Sequence, residues 1–476
     1  MAMSRSKEPT DFIEPDGKEL RRLMWKIDLR IVPLVSLMYL CSFLDRINIG
    51  NAKLAGLMDD MSITNSEYHW ALSIFFVGYL IFEVPSNLML KFAGPRLWLS
   101  IILLVWGVIM ASMATCRTGA GLIAARFFLG VAESGLFPGI IFYLSVWYTK
   151  RQLALRIAVF YGSSTLAGAF GGIIAYGIVQ MHGIGGLSGW QWIFIIEAIP
   201  TLVLGALTYV VLPNFPENTT FLNERERAII ADQKKRDAGV AADATNFTWK
   251  QVGSTMIDWK VYAFSLIFFC GALLMYSLSM FMPSIVHGMG YTSLTAQAMS
   301  SPPYAFAFVW CLFVAWHADR QGERGFHMAC SITLSIIGYT ILITLRDKSP
   351  LILYIGTIFT AMGVFSISPL KTAWLSNNVV GHTRRSTAIA LSTTLGNIGG
   401  AIGGQLYRAD DAPRYVKGNT ACLAISCCLV VLPITIKYIF YKINKKRDNM
   451  APEKLRAICE NSEDLGEKHP GFRYTL

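Results

Sequence analysis

Long apolar runs separated by short polar stretches dominate this chain. Twelve runs stand out, at roughly 30–49, 70–90, 97–116, 120–146, 154–180, 191–212, 260–286, 294–318, 326–345, 350–376, 386–407 and 418–441. About 20 apolar residues carry a helix across a bilayer, so each run is long enough to span. A β-barrel would instead show short segments of alternating polarity. The runs are rich in Gly and Pro, which membrane helices tolerate better than soluble ones. The pattern predicts an all-α membrane protein of twelve transmembrane helices.

The largest polar interruption, 213–259, divides the spans six and six. The predicted organisation is an N-terminal tail (1–28), a six-helix bundle (29–212), a central loop (213–259), a second bundle (260–441) and a C-terminal tail (442–476). Within the loop, "NERERAIIADQKKRDAG" has charges at helical spacing and predicts an amphipathic surface helix. The bundles resemble one another. "IAVFYGSSTLAGAFGG" (157–172) and "IALSTTLGNIGGAIGG" (389–404) share Ile, Ala, Gly, Ala, Gly and Gly in register, in spans five and eleven. "KFAGPR" (91–96) and "DRQGER" (319–324), after spans two and eight, share Gly and Arg. Such internal duplication is typical of secondary transporters, whose sites lie between the repeats near the midplane.

Composition agrees. Apolar residues make up 53% and charged residues 15% of the chain, against about 25% charged in soluble domains; mean hydropathy is +0.44. A net charge of +11 could suggest nucleic acid, but its distribution argues otherwise. With the N-terminus placed in the cytoplasm, seven Lys and Arg (Lys53, Arg117, Arg346, Lys348, Arg408, Arg414, Lys417) fall on the outer face. Three more (Arg46, Arg126, Lys371) lie within spans, leaving 32 of the 42 on the cytoplasmic side. That asymmetry orients the protein with both termini cytoplasmic. The sequons at Asn218 and Asn246 then fall on the cytoplasmic side and are expected to stay unmodified. The first 28 residues lack the regions of a cleavable signal peptide. The nine cysteines, mostly inside apolar runs, read as small hydrophobes. No metal-ligand spacing, Walker loop or nucleophile motif is present, so no cofactor, metal site or catalytic residue is expected.

Seven ionisable residues interrupt the spans: Asp45, Arg46, Glu83, Arg126, Glu133, Glu197 and Lys371. Each costs at least ~2.5–3.5 kcal/mol to insert, so each needs a partner or a function. Arg126 and Glu133 are seven residues apart and share a helix face. Asp45 and Arg46 are adjacent and point in different directions. The arrangement that pairs every charge joins Arg46 to Glu133 and Asp45 to Arg126, between spans one and four. Glu83, Glu197 and Lys371 read as helix-end or inter-helix partners, their roles left open, and His287 as interfacial.

"DRQGER" looks like the gating-loop motif of the major facilitator superfamily, with Asp319, Arg320, Gly322 and Arg324 in register; in the first-half copy Lys91 replaces the acidic residue. "FLDRINIGNAK", "GYLIFEVPSNL", "ARFFLGVAESGLFPG", "GWQWIFIIEAIP" and "SPPYAFAF" resemble the anion:cation symporter family, and within it the fungal allantoate/nicotinate permease branch. The resemblance covers roughly 30–441 and implies the major facilitator fold, two pseudo-symmetric six-helix bundles. It implies proton-coupled carboxylates at Asp45 and Glu133, a substrate-binding arginine at Arg46, a supporting Arg126, and a ligand contact at Tyr79. Leu44 stands where a sugar-acid relative carries Tyr, which disfavours a polyhydroxylated substrate. Thr165 and Asn397 are equivalent across the repeat and are expected to face each other over the cavity, with Thr393 one turn before Asn397. Tyr276, Ser279, Tyr304 and Trp374 complete an expected shape-selective wall from the second half.

The reading is a monomeric, proton-coupled importer of a small organic carboxylate, nicotinate-like vitamin acids first, then allantoate or pantothenate, in the plasma membrane. Its partners are the acid anion, protons and the bilayer. The rival is a nutrient receptor that binds the anion and signals through cytoplasmic segments without flux. The short tails and retained carboxylates favour the transporter. A membrane-embedded enzyme lacks any nucleophile–base or metal constellation.

Overall fold

The computed structural model describes residues 16–238, 249–345, 347–380, 382–450, 467 and 472–476. The sequon at Asn246, most of the N-terminal tail and residues 451–466 lie outside these. We number the twelve long helices in chain order: α1 Gly17–Leu54, α2 Asn65–Ala93, α3 Pro95–Met113, α4 Gly119–Trp147, α5 Lys150–Val179, α6 Gly189–Val211, α7 Trp259–His287, α8 Ser293–Gln321, α9 Gly325–Thr344, α10 Pro350–Asn377, α11 His382–Gly403 and α12 Val416–Asp448. Eleven are long and apolar enough to cross a membrane. The other, α11, is long enough but rich in Ser, Thr and Gly, and it packs along α7 and α2. The protein is an integral, multi-pass, all-α molecule. The face carrying the start of α1 and the end of α12 is called the terminal face below.

α1 and α12 run further than their apolar cores. α1 begins at Gly17, inside the stretch expected as a tail, and α12 continues to Asp448. Between the bundles, Glu224–Ala238 and Trp249–Met256 are helical. Helix starts follow local chemistry: α2 opens with a reciprocal Thr64–Glu67 capping box and α6 with Ser188–Gln191. α4 and α10 each break near the middle, at Ser134 and Ser366. These serines are 232 residues apart, the same offset as the glycine repeat.

The repeated glycines allow close helix packing within and between the halves. A Cβ on Gly171 would fall 2.9 Å from Leu44 in its own half, and one on Gly404 would fall 2.8 Å from Leu72 in the other half. Gly168 and Gly172 abut Tyr304 and the Gln297 carbonyl on α8, while Gly400 abuts Phe76 on α2. So α5 lies against α8 and α11 against α2, as the duplication requires, because only glycine permits so close an approach. On the face away from the termini the halves also share hydrogen bonds. The Gln405 amide donates to the His69 carbonyl (2.9 Å) and to Ser73 Oγ (2.8 Å). Ser73 Oγ donates to the Ala401 carbonyl (2.7 Å), and the Gln297 amide to the Asn51 carbonyl (3.3 Å).

Candidate functional site

Arg46 sits in the middle of the molecule, buried, on the face of α1 that looks toward α4 and α7. Its Nε donates to Glu133 Oε1 at 2.8 Å, and Nη2 lies 2.8 Å from the same oxygen. Its Nη1 donates to the Tyr276 hydroxyl, also at 2.8 Å. One guanidinium therefore holds a carboxylate of its own half and a hydroxyl of the other. The rings of Tyr79 and Phe75 lie beneath it, with centroids 5.1 and 5.4 Å away. Ser42, one turn before Arg46, donates its hydroxyl to Glu133 Oε1, while Glu133 Oε2 has no hydrogen-bond partner. The Arg46–Glu133 pair anticipated from the sequence is formed.

The second anticipated pair is not. Arg126 does not reach the Asp45 carboxylate. Its guanidinium donates to main-chain carbonyls: Asp45 O at 3.3 Å, Arg46 O at 3.4 Å and Ala71 O at 3.4 Å. Its ring neighbour is Phe75, 5.3 Å away. Arg126 thus stitches α4 to α1 and α2. The Asp45 side chain leaves α1 about 100° from Arg46 and faces α6 instead, where Thr201 Oγ1 donates to its Oδ2 at 3.3 Å. Glu197, one turn before Thr201, accepts from Asn48 Nδ2 at 2.9 Å. Asp45 Oδ1 and Glu197 Oε1 are both buried without partners. The two expected proton carboxylates therefore lie on different sides of α1, Glu133 beside Arg46 and Asp45 beside Glu197.

Aromatic rings surround the Arg46 site. Tyr39 packs on Phe160 (4.5 Å) and Phe137 (5.6 Å), Tyr161 on Phe137 (5.3 Å), and Phe76 on Tyr276 (4.7 Å). Phe43 lies 6.4 Å from both Tyr276 and Phe365. Tyr304 packs against Phe365 at 5.2 Å, its hydroxyl buried without a partner, as is that of Ser279. Thr165, Thr393 and Asn397 are buried on α5 and α11. Glu83 bridges the halves by accepting from Thr394 Oγ1 at 3.3 Å. Lys371 is buried in the C-terminal half, donating to Ser392 Oγ (3.1 Å) and lying 4.0 Å over the Phe268 ring.

Trp374 is the other correction. It lies close to the end of α10 at the terminal face, against Phe264 (5.1 Å) and Phe440 (6.1 Å), and its indole N–H donates to the Thr475 carbonyl at 2.8 Å. It walls no central site. In the loop motif Arg324 bonds Asp319, Arg320 lies over Trp316, and Gly322 takes the left-handed conformation (φ 66°) that ends α8. His287 bonds the Tyr291 carbonyl (2.8 Å) at an exposed helix end. Sequence reading missed Ser42, Tyr39, Asn48 and Thr201. Ser42 was within reach, being one turn from Arg46 on the same face. Thr201 carried no signal, because its partner Asp45 lies on another helix. Among the described residues no group of His, Cys, Asp and Glu could hold a metal ion.

Known proteins resemble this chain in sequence and in architecture. Residues 35–404 match the model of the Major Facilitator Superfamily. The chain is 39% identical over 452 residues to the MFS transporter prlL of a fungal species (strain NRRL 50135), covering 93% of this chain and 91% of that protein. It is 31% identical over 483 residues to the high-affinity nicotinic acid transporter of Saccharomyces cerevisiae, covering 99% and 88%. The crystal structure of a bacterial homolog of the human lysosomal transporter Spinster, inward-facing and unoccupied, superposes with a TM-score of 0.65 at 12% identity. That superposition covers 85% of this chain and 95% of the other. Family model, relatives and fold converge, and the chain belongs to the Major Facilitator Superfamily of membrane transporters.

Proposed function

We propose that this protein is a proton-coupled symporter of a small organic carboxylate, of the anion:cation symporter family and its allantoate/nicotinate permease branch, working by alternating access. The observation that carries this is the Arg46 guanidinium, held at once by Glu133 of its own half and Tyr276 of the other. Arginine is a permanent cation with a planar fork that fits a carboxylate. Glu133 occupies that fork when ionised. A proton on Glu133 loosens the pair and frees the guanidinium for the substrate anion. Loss of that proton on the other side restores the pair and expels the anion. Asp45, with Glu197 and Thr201, provides a second protonatable place on another side of α1. If more protons than anion charges enter, each net charge gains ~2.3 kcal/mol per 100 mV of inside-negative potential.

The rings around Arg46 favour a flat, aromatic acid, and a relative at 31% identity is a nicotinic acid transporter. Nicotinate-like vitamin acids are therefore the first candidates, ahead of allantoate and pantothenate. The excess of Lys and Arg on the terminal face supports a cytoplasmic orientation for it, in the plasma membrane as part of this reading. Uptake of labelled nicotinate, allantoate and pantothenate into vesicles, with and without an inward proton gradient, tests the proposal. Gradient-driven accumulation of one of them is expected, and accumulation of an acid indifferent to the gradient would refute proton coupling.

A further inference from the structure

Beyond α12, Glu467 and Phe472–Leu476 lie at the terminal face of the C-terminal half, held by groups from three helices and two loop positions. Two amides read its backbone reciprocally. Asn444 Nδ2 donates to the Tyr474 carbonyl (2.8 Å), and the Tyr474 N–H donates to Asn444 Oδ1 (2.9 Å). Asn378 does the same for Thr475, at 3.1 and 2.8 Å, and Trp374 Nε1 adds a second bond to the Thr475 carbonyl. Arg447 donates to the carbonyls of Phe472 and Glu467, both at 2.7 Å. Lys260, buried at the start of α7, bonds Glu467 Oε1 (2.9 Å) and the Tyr474 hydroxyl (3.3 Å). The Tyr474 ring stacks on Phe440 with centroids 4.5 Å apart and planes 10° off parallel. The Arg324 N–H, in the loop motif, donates to the Leu476 carbonyl at 2.7 Å.

The N-terminal half has a counterpart. After α6 the chain crosses the same face. The Pro213 carbonyl accepts from the Tyr143 hydroxyl (2.8 Å), Phe221 stacks on Trp147 at 5.8 Å, and Glu226 pairs with Lys26 at 2.8 Å. Asn214 Oδ1 accepts from the Arg96 N–H at 3.1 Å. Arg96 and Arg324 hold the same place in the repeated loops, and each has its backbone N–H occupied by the segment that follows its own half. Trp147 and Trp374, near the ends of α4 and α10, each meet that segment.

We infer that Trp374, Asn378, Phe440, Asn444, Arg447 and Lys260 form a peptide-binding groove whose ligand is the chain's own Phe472–Leu476. Docked there, the segment clips α7, α10, α12 and the α8–α9 loop into one body. Every partner named belongs to the C-terminal half, so the clip does not lock the halves together. It stiffens one half for rocking against the other. Groove specificity comes from the Tyr474 ring, since the amides read only backbone. The uptake consequence rests on the transport reading; the binding consequence does not.

The test uses the full chain in detergent with residues 472–476 deleted, and the synthetic peptide Phe-Arg-Tyr-Thr-Leu as probe. The truncated protein should bind the peptide, the wild type at least tenfold more weakly because its groove is filled, and a peptide with Ala for Tyr at least tenfold more weakly still to the truncated form. In vesicles the deletion should lower maximal uptake severalfold with KM unchanged, and added peptide should restore it. If the deletion does not fold, full-length Tyr474→Ala should bind the wild-type peptide where Tyr474→Phe does not. Equal binding to wild type and opened groove, or none to either opened form, overturns the groove. Peptide binding with no change in uptake overturns the stiffening role alone. A chain that carries none of the acids tested would count against the transport reading and leave the binding result standing.

Discussion

The two halves share a backbone plan and differ in where they keep charge. Among the described residues the N-terminal half buries Asp45, Arg46, Glu83, Arg126, Glu133 and Glu197 within its spans, whereas the C-terminal half buries Lys371 within a span and Lys260 only at the start of α7. Duplication preserved what packing demands: the glycines of α5 and α11, the breaks at Ser134 and Ser366, and the arginine of each loop motif. It did not preserve the charges, because packing does not need them. Buried ion pairs are often replaceable by apolar residues at no loss of stability. That difference points to a division of labour, with proton and carboxylate handled by the first half and the body of the substrate by the second. Arg46 is where the two meet, since it bonds Glu133 on one side and Tyr276 on the other.

The sharpest way to break this comparison is at Arg46. Arg46→Lys keeps the charge and loses the fork. Hydrogen bonds to charged groups are worth about 1.5–3 kcal/mol each, so uptake kcat/KM should fall on the order of 100-fold or more for every acid, with the protein still in the membrane. Normal affinity in that variant would remove Arg46 from substrate binding. Next come the carboxylates. Glu133→Gln and Asp45→Asn should each still exchange substrate and fail to concentrate it. Because the two lie on different sides of α1, with different partners, the double variant should be worse than either single. If each concentrates substrate as wild type does, neither couples protons.

Smaller effects are expected in the second half. Asn397→Ala and Thr393→Ala should reorder the preferred acids by roughly tenfold, the scale of one lost polar contact, and leave the pH profile of uptake unmoved. A shifted profile with unchanged ranking would contradict the division. Trp374→Phe sharpens the same comparison. It removes the indole bond to Thr475, so it should weaken the clip and leave substrate ranking alone. Smallest of all is the pH dependence of the clip itself. Burial pushes Glu467 up, but the Lys260 ammonium more than offsets this, holding its carboxyl below the usual range. A depressed carboxyl contributes stability above its ordinary value near 4.3 and loses it as pH falls through the folded value. Clip docking, followed by peptide competition, should therefore be constant from about pH 5.5 to 8, across the window where uptake varies.

Much of this architecture was legible in the sequence for one reason: a bilayer imposes run length. Each apolar run of about 20 residues has a helix over it, and the repeat announced the two bundles. α11 shows the limit, since its small polar residues make it a helix by packing rather than by hydropathy. The Arg46–Glu133 pair could be anticipated because charges in apolar runs must find each other. The direction of Asp45 could not. One helix fixes the angle between neighbours, but the partner, Thr201, is on α6 and carries no charge to betray it. Trp374 was misplaced because an aromatic residue near a helix end looks the same whether it faces a cavity or a returning segment. That segment, Phe472–Leu476, has no periodicity to read; its partners are side chains on three helices and a backbone N–H in one loop.

The central claim is that Glu133 and the substrate carboxylate compete for Arg46, and proton uptake on binding tests it most directly. Purified protein in weakly buffered solution would be titrated with nicotinate, or with whichever of nicotinate, allantoate and pantothenate it binds, while released or consumed protons are counted across a pH series. The account predicts that wild type takes up protons as the anion binds, and that Glu133→Gln binds the same acid with about one proton fewer. Binding by wild type without proton uptake, or undiminished uptake by Glu133→Gln, would contradict it.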